Sequence, residues 1–454
     1  MRHLIPILSI PMLLAAQPAT TSVETILANR VEESQRVVGM AIATIDKDGA
    51  HSVVARGKAG GDNNRPLDGD TVFEIGSITK VFTSLLLADM IERGELKAED
   101  EAGKYLPEGV AMPARGGKRI TLLDLARHVS GLPRMPDQFQ PADPANPFAD
   151  YDTAKLYSFL GRVTLGRDIG EKYEYSNVGV GLLGHLLARR AGVSYEELLR
   201  TRILQPLKMT STSITFSEDQ RKRLAIGHNK KLQPVKNWDL DVLAGAGAIR
   251  STANDMLKFA AAHMGQVKTP LDAAMARMRV PRRPAGQKRM EIAMGWHILT
   301  QTGTDLYWHN GGTGGYRTFL GMELGAKRAV VVLSNTVLSN DDVGFHLLDS
   351  RAPLSMLKPS KERKEIAIDA KILGGHVGEF ALAPTFILTI TTEEGKLFAQ
   401  ATGQPRSELF AESETEFFLK VVDAQITFKR DEAGKTTSVV LHQNGRDMPA
   451  ARVK

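Results

Sequence analysis

The 454-residue chain contains no cysteine. That absence excludes disulfide staples, thiolate zinc sites, iron–sulfur clusters and a cysteine nucleophile, and a chain of this length buries enough core to need no staples. No run of 18 or more apolar residues occurs, so no segment reads as a membrane-spanning helix. Internal repeats and low-complexity tracts are missing, and glycine and proline are scattered rather than periodic. There is no HExxH and no GxSxG elbow, and the 11 histidines show no paired ligand spacing. Neither a metal nor a cofactor is therefore expected. Charge of one sign is also scarce: 58 Lys+Arg against 52 Asp+Glu leave a net +6, dispersed along the chain. No nucleic-acid partner is expected from so small an excess. From Glu365 onward 10 basic and 13 acidic residues make the C-terminal part acidic.

At 42% hydrophobic the chain has ample material for a folded core. Its first residues, MRHLIPILSIPMLLAAQPATT, read as a signal peptide: Arg2 as n-region, Leu4 to Leu14 as apolar h-region, and a small-residue exit near Ala16–Gln17. Pro6 and Pro11 interrupt the apolar run, which is too short to span a bilayer. With no cysteine after it a lipid anchor is excluded, so a periplasmic or secreted protein without a stable membrane anchor is expected.

Arg36 to Ile45 is a β-rich run, and a second run, His51 to Ala55, follows Asp48-Gly49, a hairpin signal. A second set of strands lies far downstream, at Trp296 to Thr300, Leu306 to His309, Tyr316 to Glu323 and Arg328 to Ser334. Between the sets the spacing predicts helices over Ser77 to Arg93, Val178 to Arg190 and Ala253 to Met264, each with glycine just past its end. First and last strands are expected to pair in one antiparallel sheet, with a helical region beside it. After Ser360, short strands at regular spacing predict a small all-β barrel or sandwich. The domains expected are a signal peptide (1–16), a large unit (23–350), a linker (351–364, with the basic run Lys358 to Lys364) and a small barrel (365–454).

Ser77-Ile-Thr-Lys80 is the sharpest local signal. Residues three apart share a helix face, so Ser77 Oγ and Lys80 Nζ can converge. A helix N-terminus and burial both disfavour the lysine cation, which prepares it to accept the serine proton. Read alone, the motif is also satisfied by an N-cap serine with a solvated lysine one turn on, and Ser355-Met-Leu-Lys358 repeats the spacing in the linker. Tyr175-Ser-Asn177 lies in a polar, glycine-flanked segment before a helix: tyrosine can relay a proton if a cation lowers its pKa, and an asparagine amide can orient a lysine and a substrate amide. Trp308-His309-Asn310-Gly311-Gly312 ends a strand with a glycine-rich exit, where the Gly312 N–H suits an oxyanion hole. Gly179-Val-Gly-Leu-Leu-Gly184 matches GxGxxG, but no apolar strand precedes it, so close helix packing is the better account.

The ordered set SxxK, YxN and [KH]xG resembles the penicillin-recognising serine hydrolases, and among them class C β-lactamases, D-alanyl-D-alanine carboxypeptidases and related esterases. Phe73 to Gly76, Thr121 to Leu125 with Ser130 to Pro133, and Ala244 to Thr252 support the resemblance, which covers Val38 to Leu347. It implies an α/β (α+β) β-lactamase/transpeptidase-like fold with a five-stranded antiparallel sheet. It further implies Ser77 as nucleophile, Lys80 and Tyr175 as proton shuttles, Asn177 positioning Lys80 and the substrate amide, and the N–H groups of Ser77 and Gly312 holding the oxyanion. Class C β-lactamases carry Lys-Thr-Gly where this chain has His309-Asn310-Gly311, and a histidine there is a pH-dependent cation. Arg317 is a candidate for binding a substrate carboxylate or a solvent-facing strand residue. The C-terminal region resembles the lipocalin-like domain of many such hydrolases. The expected function is an exported serine hydrolase acting on β-lactams or D-amino-acid amides. The alternatives are a carboxylesterase or a slowly acylating penicillin-binding sensor. The partner is a small-molecule or peptide substrate with a reactive carbonyl; the oligomeric state is not legible.

Overall fold

The computed structural model describes residues 20–61, 64–137, 139–301, 303–359, 363–383, 386–422, 424–443 and 446–454. The stretch read as a signal peptide lies outside them. Among the described residues no helix is long and apolar enough to cross a membrane. The chain divides into two units, the larger containing Arg36–Leu354 and the smaller Ser355–Lys454.

In the larger unit, helix α1 (Thr79–Glu92) buries every residue from Thr79 to Met90. Its apolar residues surround the helix instead of forming one stripe, as suits a helix packed on all sides. α2 (Asn177–Ala191) is capped by Ser176 and ends at Gly192, which takes the left-handed conformation at φ 70°. α3 (Ala253–His263) starts at the Thr252 cap and packs Phe259 on Phe82 of α1, with ring centroids 4.1 Å apart. The glycines of the GxGxxG stretch are a packing face. A Cβ on Gly181 would meet Leu243 at 2.6 Å, and one on Gly184 would meet the Gly245 Cα at 2.9 Å.

The sheet comprises β1 (Gly39–Ile45), β2 (His51–Gly57), β3 (Arg283–Pro284), β4 (Met290–Ile292), β5 (His297–Gln301), β6 (Thr304–Gly312), β7 (Arg317–Glu323) and β8 (Arg328–Ser334). Their order is β2-β1-β8-β7-β6-β5-β4-β3, with every neighbour antiparallel. First and last strands pair as expected, Met40 opposite Ser334. The sheet has eight strands rather than five: the six read from the sequence all join it, and the short β3 and β4, too brief to show periodicity, extend the β5 edge. Alternation along the strands feeds two cores. Ala41, Ala43, Val331 and Leu333 join the core of α1 and α3, whereas Met40, Ile42, Val330 and Val332 pack with Val343 and Leu347 of α4 (Asp341–Leu348).

The smaller unit is a closed barrel of eight strands: β9 (Gly378–Ala383), β10 (Phe386–Glu393), β11 (Lys396–Ala401), β12 (Ser407–Ala411), β13 (Glu416–Phe418), β14 (Ala424–Arg430), β15 (Thr436–Gln443) and β16 (Arg446–Arg452). Each strand pairs with the next, and β16 returns to β9 through Arg452 opposite Phe380. Phe380, Leu388, Ile390, Phe417, Phe428 and Val439 pack its inside. Leu373, on the short helix Ala370–His376, joins that core, and His376 hydrogen-bonds Thr436 Oγ1 and Glu414 O at 2.7 and 2.8 Å.

Candidate active site

Ser77 belongs to a 3-10 turn, Gly76–Ile78, that leads into α1. The helix expected from Ser77 thus becomes regular two residues later, a difference of the kind that helix ends show. Lys80 Nζ donates to Ser77 Oγ at 3.0 Å and to the Ala246 carbonyl at 2.6 Å. The lysine is 0% exposed, so the solvated-lysine reading fails. Burial first, then the charge of Arg134, holds its pKa well below the ordinary lysine value. Two neutral acceptors and no carboxylate favour a free amine here.

Tyr175 stands close enough to Ser77 for that side chain to favour its ionised form, and Lys80 Nζ lies 4.9 Å from its ring centre. Burial pushes the phenol up to about 12, outweighing the lowering by Ser77 and Arg134. The expectation that a cation lowers this pKa is overturned: desolvation wins, and Tyr175 rests protonated. Lysine and tyrosine, alike on the titration scale in water, are driven apart by one burial.

The segment carrying Tyr175 is pinned to the preceding loop. Glu174 N donates to His128 O at 2.8 Å, Ser176 N to His128 Nδ1 at 3.0 Å, Ser176 Oγ to Pro133 O at 2.6 Å and Asn177 N to Arg134 O at 2.9 Å. Asn177 opens α2, and its amide donates to Met135 Sδ at 3.5 Å. Lys80 takes its hydrogen bonds elsewhere, to Ser77 and Ala246. Asn177 nevertheless shares a pocket with Ser77, Gly312 and Thr313, walled by Phe148 and Trp238. Gly312 ends β6 against the Ser77 turn: a Cβ on Gly76, whose φ is +52°, would meet Gly312 N at 2.6 Å.

His309 departs from expectation, and Arg317 departs from its solvent-facing alternative. His309 is 0% exposed, with Nδ1 2.6 Å from Asn310 O and its ring 6.2 Å from that of Tyr175. Burial, His297 and Lys80 depress its pKa well below the usual imidazole range. It is a neutral group near pH 7, not the titrating cation anticipated. Arg317 donates Nη1 to the carbonyls of Thr313 and Tyr316 at 3.1 and 2.9 Å. That commitment, with partial burial, places it under the Gly312 turn rather than facing solvent.

Several residues escaped sequence reasoning. His128, in left-handed conformation at φ 57°, stacks on Tyr175 at 4.5 Å. His297 lies 5.0 Å from His309 and hydrogen-bonds Tyr173 at 2.8 Å. Buried Glu74, three residues before Ser77, accepts the Trp238 N–H at 2.9 Å beside Arg250, which donates to Trp238 O at 2.7 Å. This pair holds the Trp238 wall. Only the stretch Ser130 to Pro133, flanked by His128 and Arg134, gave a hint of the loop that carries Tyr175. Among the described residues no group of three or more side chains could hold a metal ion.

The family model described as Beta-lactamase matches residues 23–349, and one described as a domain of unknown function (DUF3471) matches 362–452. Penicillin-binding protein 4* of Bacillus subtilis (strain 168) is 26% identical over 423 residues, covering 86% of this chain and 89% of that protein. The D-alanyl-D-alanine-carboxypeptidase/endopeptidase AmpH of Escherichia coli (strain K12) is 32% identical over 252 residues, 54% of this chain and 63% of its own length. A crystal structure of a class C beta lactamase from Rhodobacter sphaeroides superposes with TM-score 0.61 at 26% identity, covering 70% of this chain and 95% of that one. With the family model matching well over half of its residues, the chain belongs to the beta-lactamase family of serine hydrolases.

Proposed function

We propose that the protein is exported by its N-terminal signal segment and hydrolyses β-lactams or D-amino-acid amides through an acyl-enzyme on Ser77. One observation carries the reading: a fully buried Lys80, its cation disfavoured, donates a 3.0 Å hydrogen bond to Ser77 Oγ. As a free amine, Lys80 takes the serine proton while Oγ adds to the substrate carbonyl. The N–H groups of Ser77 and Gly312 stabilise the oxyanion, and Asn177 orients the substrate amide. Collapse of the tetrahedral adduct breaks the C–N bond. The leaving nitrogen takes its proton from Tyr175, and Lys80 returns one to the phenolate. Water then attacks the acyl ester, gives up a proton to the same pair, and serine regains its hydrogen. The class named for the relatives, penicillin-binding protein and D-alanyl-D-alanine carboxypeptidase, supports this choice of substrates. The apolar wall of Phe148 and Trp238 favours the second reading, an esterase for small apolar acyl groups. The lipocalin-like reading of the barrel is supported by its up-and-down closure.

Labelling wild type and Ser77→Ala with a fluorescent penicillin tests the nucleophile, and label surviving the substitution refutes it. Turnover of nitrocefin or D-alanyl-D-alanine peptides is expected. Cleavage of p-nitrophenyl acetate alone selects the esterase, and stable label without turnover selects a sensor.

A further inference from the structure

We propose that Arg134 recognises a carboxylate on the leaving group of the substrate and so determines specificity at this site. The inference rests on the acyl-transfer reading above and narrows its substrates to carbonyl compounds whose leaving nitrogen bears an adjacent carboxylate.

The guanidinium carbon of Arg134 lies 4.9 Å from the centre of the Tyr175 ring. Its side chain is exposed, while its backbone is anchored by the Asn177 N–H. Among the described residues no carboxylate pairs with it. The neighbouring acids are engaged by other arginines, Asp137 by Arg162 at 2.8 Å and Glu174 by Arg167 at 2.5 Å. The groups that feel its charge are Lys80, His128, Tyr173 and Tyr175, none of them a carboxylate. A guanidinium held beside a reaction centre without a counter-ion presents its planar fork to an anion that arrives with the substrate.

The other cationic side chains of the site are placed differently. Lys80 is sealed from solvent, His309 is neutral, and Arg317 donates to Thr313 and Tyr316 carbonyls. The chemistry supplies the position. In a penicillin and in a D-alanyl-D-alanine peptide alike, the carboxylate is on the carbon bonded to the leaving nitrogen. Tyr175 protonates that nitrogen, so the carboxylate is delivered to the surroundings of the Tyr175 ring, where Arg134 stands.

The test compares pairs that differ only in the carboxylate: benzylpenicillin with its methyl ester, and a D-alanyl-D-alanine peptide with its C-terminal amide. Acylation rates are read by competition with a fluorescent penicillin for Ser77 in wild type, Arg134→Gln and Arg134→Lys. Arg134→Gln is expected to slow acylation by the acids about 10-fold, chiefly through weaker binding, and by the ester and amide less than about 2-fold. Lysine should restore part of the preference, and added salt should weaken it in wild type. Equal losses for acid and ester overturn the assignment, as does no loss, while Ser77 labelling in wild type keeps the acyl-transfer reading intact. A wild type that no compound acylates overturns that reading and this one together.

Discussion

Gly311→Ala should separate the two backbone segments that meet at Ser77. Gly311 is buried in β6 opposite Thr318, and a Cβ there would lie 2.0 Å from the carbonyl oxygen of Ile75 and 2.3 Å from Thr318 Oγ1. A real Cβ essentially never sits closer than 3.0 Å. The Ile75 oxygen cannot rotate away, because it belongs to the backbone and already accepts Thr318 Oγ1 at 2.9 Å. The contact must therefore open by at least about 1 Å, and such a displacement next to reacting groups costs about 10²-fold in rate. It acts directly, since Ile75 is two residues before Ser77 and Gly311 one before Gly312, the proposed oxyanion donors. Overpacking of this kind should also cost about 1–3 kcal/mol of stability. The matched control is Gly312→Ala, whose Cβ would meet Arg317 Nη1 at 2.6 Å, the movable end of a side chain. That variant should lose less than about 10-fold. The assay is the rate of Ser77 acylation by a fluorescent penicillin, with thermal unfolding alongside. A Gly311→Ala protein that acylates within about threefold of wild type and melts unchanged would refute the reasoning.

Lys80→Arg introduces a permanent cation and removes the proton acceptor, so acylation should fall about 10³-fold, and near-normal rates would exclude Lys80 as base. In wild type the free amine forms above the lowered Lys80 pKa, and Tyr175 stays protonated until about 12. The kcat/KM profile should accordingly rise with pH and show no basic limb below about pH 10; an earlier decline would contradict the tyrosine assignment. Stability should fall in acid. His263 and His297 are lowered by burial to about 3 and about 4 from an ordinary 6.5. Below pH 6.5 the unfolded chain therefore binds protons that the native state refuses, and stability is lost as pH falls toward those values. At pH 5 each contributes a loss on the order of 2 kcal/mol. His263→Phe, beside Phe259 and Trp296, should flatten the decline in denaturant midpoint between pH 7 and pH 5, and an unchanged slope would count against it.

Long-period features were legible. The Asp48-Gly49 hairpin, the strands Arg317–Glu323 and Arg328–Ser334, and helices ending at Gly192 and Gly265 follow from alternation, amphipathic spacing and left-handed glycines. Short or irregular elements were not. Ser407–Ala411 and Arg446–Arg452 of the barrel went unread, the second because Pro449 and flanking charges break the strand pattern. Arg283–Pro284 and Met290–Ile292 are too brief to carry any period.

By itself the sequence determined the groups available: no cysteine, and Ser77 with Lys80 one helical turn away and Tyr175 and Gly312 following in order along the chain. Only the tertiary structure decided the states of those groups. Burial is a property of packing from many directions, and it disfavours the Lys80 cation, keeps the Tyr175 phenol protonated and leaves His309 uncharged. The same packing holds one half-buried arginine against carbonyls, Arg317, and leaves another, Arg134, open beside Tyr175. Spacing along a chain brings residues together; desolvation and partners settle which of them carries charge.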